Sequence, residues 1–215
     1  MALANYTELQ TTMTETLNRD DMAAVIPSFI ALAEAQINRD VRHWRMEVRT
    51  SGQQSAGDAY MQVPANWVET VRFSVTDGGT SPISMSDSTT MAEKRSKYND
   101  QYGKPTEYTL EAGQFHLYPT PIEETNVELV YTAQVPDLAT NSTNWLLSYA
   151  PDVYLYGSLL HSAPYLQDDA RVAVWAQLYS AGVTRLNEAS NSAKHSGSNL
   201  KSKVRDWVKN GISQT

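Results

Sequence analysis

Side chains capable of chemistry are present in this 215-residue chain, but they are not spaced for it. There are no cysteines, which excludes a disulfide framework and a thiolate metal site. His43, His116, His161 and His195 include no i, i+4 helical pair and no zinc-type spacing. His161 lies on an apolar helix and reads as a hydrogen-bonded core or interface histidine rather than a ligand. His116 alternates with Phe115 and Leu117 on a strand, which points it to solvent. Carboxylates come in neighbouring pairs: Asp20 with Asp21, Glu123 with Glu124, Asp168 with Asp169. Glycoside hydrolysis needs two carboxyls about 5–10 Å apart across a cleft, and adjacent residues on a cap or loop do not supply that by themselves. Asp168 and Asp169 read instead as a helix start, with Arg171 or Arg185 as partner. There is no G-x-S-x-G elbow and no phosphate-cradling glycine loop. Gly157-Ser158 falls inside a helix, where the glycine allows close packing. The expectation is no enzyme, no catalytic residue, no cofactor and no metal.

The elements that carry these residues are clearer. Residues 151–187 read as two helices joined at a corner. Pro151 suits a first helical position and Asp152 the first turn. Tyr149, Val153, Tyr156 and Leu160 then form one face, while Tyr154, Leu155 and Leu159 add apolar surface beyond it. Such a helix must be covered on several sides. Pro164 ends or kinks it. Val172, Trp175, Ala176, Tyr179, Val183 and Leu186 stripe the next helix. Near the N-terminus, residues 6–18 form a helix with Tyr6, Leu9, Met13 and Leu17 on one side. A longer one starts beside Pro27, with Phe29, Ala33, Ile37 and Val41 on one side, Ile30 and Trp44 flanking. Arg39, Arg42 and Arg45 at its end complement the dipole.

Around residue 46 the period changes from 3.6 to 2. Residues 50–58 read as a loop and 59–63 as a short strand. Residues 67–75 alternate, with Val71, Phe73 and Val75 facing one way. A turn at 77–79 leads to a return strand at 82–85. Ser88 caps a short polar helix near 90–99. Residues 106–110 and 114–118 form a hairpin, and 126–133 the last of five or six strands. Tyr60, Trp67, Phe73, Tyr108, Phe115 and Tyr118 fill the core of this sheet. Helices resume at Trp145. The fold class is therefore α+β: an antiparallel helical bundle from residues 1–46 and 145–196, an inserted small antiparallel β-domain over 47–144, and an extended C-terminal arm over 197–215. Leu200, Val204, Trp207 and Val208 fall at i, i+4, i+7 and i+8 in that arm, with Lys201, Lys203, Arg205 and Lys209 around them, as in a docking helix.

The net charge of −7 is unevenly spread. Residues 47–144 hold 6 basic and 13 acidic side chains, and the arm holds 4 basic and 1 acidic. A sequence-independent DNA binder needs clustered Lys and Arg, so this acidic chain is not one. No apolar run is long enough to span a membrane, and the first twenty residues lack the pattern of a signal peptide.

Residues 151–179, with Trp145-Leu146 before them, resemble the hallmark segment of tailed-bacteriophage head-to-tail adaptor (connector) proteins. Residues 25–42 are similar to the matching N-terminal helix of that family. The resemblance implies a structural virion protein assembled in the host cytoplasm. It implies a homo-oligomeric ring, usually dodecameric, beneath the portal protein and above a tail or nozzle protein, extending the channel through which DNA passes during ejection. It also implies an arm that docks on the portal or a neighbour. On that footing the subunit or portal interface is expected at Tyr154, Leu155 and Leu159 and at Leu200, Lys201, Val204, Arg205, Trp207 and Val208. Some connector proteins degrade peptidoglycan, and that alternative would need an acid such as Glu123 or Asp137 opposite a second carboxylate in a cleft.

Overall fold

Asn5 begins the first helix in the way short polar side chains do. Its Oδ1 accepts the Glu8 N–H at 3.0 Å, and the Glu8 carboxylate accepts from Ala4 N and Asn5 Nδ2. Asn18, at φ 53°, ends it in the left-handed region. The computed structural model describes residues 3–99, 101–166 and 170–196. Within them lie helices α1 (Tyr6–Leu17), α2 (Ile26–Asp40), α3 (Ser88–Tyr98), α4 (Leu138–Asn141), α5 (Trp145–Tyr149), α6 (Pro151–His161) and α7 (Arg171–His195). The strands are β1 (Glu47–Gln54), β2 (Tyr60–Gln62), β3 (Trp67–Val75), β4 (Ser81–Met85), β5 (Glu107–Glu111), β6 (Gln114–Tyr118) and β7 (Thr125–Ala133).

One apolar core gathers α1, α2, α5, α6 and α7, from Leu9, Met13, Phe29 and Ile37 to Val153, Trp175 and Leu186. Val135 and Leu138, which follow the last strand, already belong to it. The helices α6 and α7 approach through glycine notches. A Cβ on Gly157 would lie 3.1 Å from Tyr179 Cε2, and one on Gly182 would lie 2.8 Å from Val153 Cγ2. The expected division of α6 into an inward stripe and a surplus flank is not kept, since Val153 of the stripe is buried and Leu155 of the surplus is partly covered. Tyr154 and Leu159 are fully buried, whereas Tyr149 is 49% exposed and Tyr156 and Leu160 are only partly covered. The reason is position: α1, α2, α5 and α7 all pack against α6, so its supposed surplus is covered by its own chain.

The second core lies in a seven-stranded sheet of order β1-β7-β3-β4-β5-β6-β2. Phe73, Tyr108 and Phe115 meet there with ring centroids 5.1–5.7 Å apart. The sheet is mixed rather than purely antiparallel, because β4 and β5 pair in parallel across the α3 crossover. Residues 50–54 are not loop but the end of β1, which pairs with β7 from Glu47↔Thr132 to Gln54↔Thr125. Its run of Thr, Ser, Gly and Gln has no apolar alternation to announce a strand; the ladder with β7 makes it one. Val71 is 49% exposed because the register slips between Thr70 and Arg72, so the expected alternation breaks there. Asp87, not Ser88, caps α3; Ser88 Oγ donates to Glu111 Oε1 at 2.6 Å. The sheet coils until its end strands meet. Gln54 Nε2 donates to Asp58 O and Tyr60 O, and a Cβ on Gly52 would touch Met61 Cε at 3.1 Å. Of the aromatics expected inside, Tyr60 is 48% exposed. It stacks on His116 at 4.5 Å and so buries that histidine, which was expected in solvent.

Candidate functional site

Sheet and helices are joined by two crossings, and polar side chains, buried at Glu34, Asn144 and Ser190, hold both. At the β7–α4 crossing, two residues one turn apart on α2 receive backbone N–H groups. Asn38 Oδ1 accepts from Val135 N and Glu34 Oε1 from Leu138 N, each at 2.8 Å. Asn144 ties the same segment down: its Nδ2 donates to Pro136 O at 2.7 Å and to the Tyr154 hydroxyl at 2.6 Å. Its Oδ1 meanwhile caps α5 by accepting from Leu147 N. Burial pushes the Tyr154 phenol well above the usual tyrosine range. At the α2–β1 crossing the clamp is α7. Asn187 Oδ1 accepts from Arg42 N at 2.8 Å, Ser190 Oγ from Trp44 N at 2.9 Å, and Lys194 pairs with Glu47.

Beside the first crossing is a cleft of about 690 Å³, lined by residues that include Glu34, Asn38, Arg39, Arg42, Trp67 and Asp137. Burial raises the Glu34 pKa, the neighbouring Asp137 charge adds to the rise, and the Leu138 N–H opposes it. Two carboxylates in unequal surroundings are the raw material of an acid–base pair. Glu34, however, already serves as the acceptor that holds α4. Arg42 does what its place at a helix end suggests, donating to Asn38 O at 3.0 Å and Val41 O at 2.8 Å.

Arg45 does something different. Its guanidinium lies 5.4 Å from the centroid of Trp44 and 4.7 Å from that of Tyr149. Beneath them His43 is buried and stacked on Trp145 at 5.1 Å, its Nδ1 accepting from Arg45 N. Burial, Arg45 and Lys194 all hold the His43 pKa down, which keeps the ring a neutral acceptor. Trp44, Arg45 and Tyr149 thus form an exposed aromatic platform around an ordered cation.

Of the residues expected at an interface, Tyr154 and Leu159 are wholly inside the subunit and offer a neighbour no surface. Leu155 is partly covered by the helical core. Leu200, Lys201, Val204, Arg205, Trp207 and Val208 lie outside the described residues, as do Asp168 and Asp169. His161 is not hydrogen-bonded as expected: its Nε2 is buried with no partner among the described residues. Burial, then Arg39, lowers its pKa. Glu123 is on an exposed loop, and Asp137 is in the cleft beside Glu34. Sequence reasoning misses the platform because in the sequence Trp44 reads as a flank of α2 and Arg45 as dipole complement. Glu34 and Asn38 had a readable signal, since they are polar residues spaced i, i+4 beside an apolar stripe.

Among the described residues no group of three or more His, Asp or Glu could hold a metal, and no helix is long and apolar enough to cross a membrane. A family model described as SU10 adaptor protein matches residues 4–203. No curated protein matches the chain.

Proposed function

Because the chain belongs to the SU10 adaptor protein family, a family of phage head-tail adaptors, we propose that it is a ring subunit between portal and tail. The ring, twelve copies in its usual form, extends the DNA channel and lets DNA through without holding it. The observation that carries this reading is the extent of the match, which takes in residues of both apolar cores and both crossings. Physical features support it. The excess acid of residues 47–144 disfavours counterion-release binding to DNA, which suits a passage. The pinned crossings make a stiff joint between helices and sheet, as a load-carrying ring requires. In this reading residues 1–46 and 145–196 form the bundle and 47–144 the inserted unit, whose last stretch (Val135, Leu138) packs into the bundle core, and the basic arm 197–215 docks on an acidic groove of the portal or a neighbour. Mixing the protein with portal particles and imaging them should reveal an added ring; portal particles that stay bare at packaging-like salt overturn the reading.

A second reading, peptidoglycan degradation, has one observation in its favour: Asp137 shares a cleft with Glu34, whose pKa is raised. It requires clearing of a peptidoglycan suspension that Asp137→Asn abolishes. A wild-type chain that clears nothing removes it.

A further inference from the structure

Two exposed surfaces of this chain are complementary and cannot reach each other. At the platform's centre Arg45 makes ring contacts to Trp44 and Tyr149 and, among the described residues, no ion pair; those two residues are 44% and 49% exposed. Trp, Tyr and Arg are the residues most enriched at the energetic centres of interfaces. The second surface is the loop 121–124. Ile122 is 67% exposed there and is followed by two exposed carboxylates, Glu123 and Glu124. The loop's shape is set from within, because Gly57 N donates to Pro121 O at 2.8 Å and Thr125 Oγ1 to Glu123 O at 3.0 Å. An apolar side chain with two carboxylates matches a flat aromatic surface with one cation.

Trp44 and Arg45 of the platform lie just before β1, and the loop immediately precedes β7. Glu47 opens one end of the β1–β7 ladder and Gln54 pairs with Thr125 at the other. Seven residue steps separate the ends, roughly 23 Å. One molecule therefore cannot seat this loop on its own platform, while two copies in head-to-tail contact can. We propose that the loop 121–124 of one copy seats on the Trp44–Arg45–Tyr149 platform of the next, Ile122 covering the rings and Glu123 or Glu124 pairing with Arg45. Such a contact joins unlike patches and propagates from copy to copy, closing into a ring when the rotation allows. The inference deepens the adaptor reading and rests on it for the presence of many copies.

The chain has no cysteine, so a chain carrying Arg45→Cys and Glu123→Cys reports the contact directly. It is oxidised both free and bound to portal particles. The expected result is a ladder of covalent multimers, whereas either cysteine alone gives at most a dimer. In parallel, an Arg45→Glu chain and a Glu123→Arg/Glu124→Arg chain should each self-associate at least about tenfold more weakly than wild type, and mixing the two should restore association. Portal-bound chains that give no ladder overturn this contact and leave the adaptor reading standing. A chain that does not bind portal overturns the adaptor reading, and the free sample then decides the contact by itself.

Discussion

Tyr154 shows how much one hydroxyl changes the meaning of a side chain. As an apolar body it looks like surplus on a helix already supplied with a stripe; as a phenol it is the fixed point to which Asn144 is tied. Tyr154→Phe keeps the packing and removes only the acceptor for Asn144 Nδ2. It should cost about 1–2 kcal/mol of unfolding free energy in urea while leaving assembly intact. Loss of assembly without loss of stability would return Tyr154 to an interface role. Gly182 is a test of close approach rather than of bonding. Its Cβ would meet Val153 Cγ2 at 2.8 Å, so Gly182→Ala should destabilise by about 1–3 kcal/mol. Val153→Ala in the same chain should recover part of that loss, giving a non-zero coupling in a double-mutant cycle. Gly157 was legible as a packing glycine from its place in an apolar helix. Gly182 was not, because only the partner helix says which residue it faces.

At the scale of elements, legibility followed burial. Helices α1, α2 and α7 show their apolar stripes in sequence because each is covered on one side only. The central helix α6 is covered on several sides, so periodicity could not say which flank faces inward. Strand β1 was missed for the opposite reason: its order comes from β7, and Thr50, Ser51, Gly52 and Gln53 carry no pattern of their own. The bulge near Val71 moved that residue outward without any sequence signal. Polar contacts between α2 and the β7–α4 crossing were also invisible, since their partners are backbone N–H groups about a hundred residues away. They make a sharp prediction about pH. Burial raises the Glu34 pKa above its unfolded value, so the native state holds this proton more tightly than the unfolded chain. Its contribution to stability is therefore fullest below the unfolded pKa of about 4.3. It is lost as pH rises through the native value, and at neutral pH the charged carboxylate is a burden. Glu34→Gln keeps an oxygen for the Leu138 N–H and removes the charge facing Asp137. The variant should be more stable than wild type at pH 7 in urea titrations, with the difference shrinking as pH falls towards 4. An unchanged or reduced urea midpoint at pH 7 would mean that the ion, not only the oxygen, is needed at this joint.

For the whole molecule, the separation of charge matters more than its total. Among the described residues two apolar cores are already assembled, whereas residues 197–215 carry four basic side chains and one acidic. A chain ending at Ser196 should therefore keep the melting temperature of the full chain to within about 2 °C, less than the shift a 1 kcal/mol loss gives in a domain this size. Its net charge falls from −7 to −10 by loss of that +3 segment. If the arm meets an acidic groove, its share of portal binding is Coulombic and exposed to screening, which shortens the Debye length from about 10 Å at 0.1 M salt to about 3 Å at 1 M. The full chain should then bind portal particles progressively more weakly across that range. The truncated chain should bind weakly throughout and respond little to salt, because the cationic partner of the groove is gone. Equal affinities for the two chains at 0.1 M would remove the arm from the interface. A full chain indifferent to salt but stronger than the truncated one would instead assign the arm's binding to apolar contact, with Trp207 as the first residue to replace.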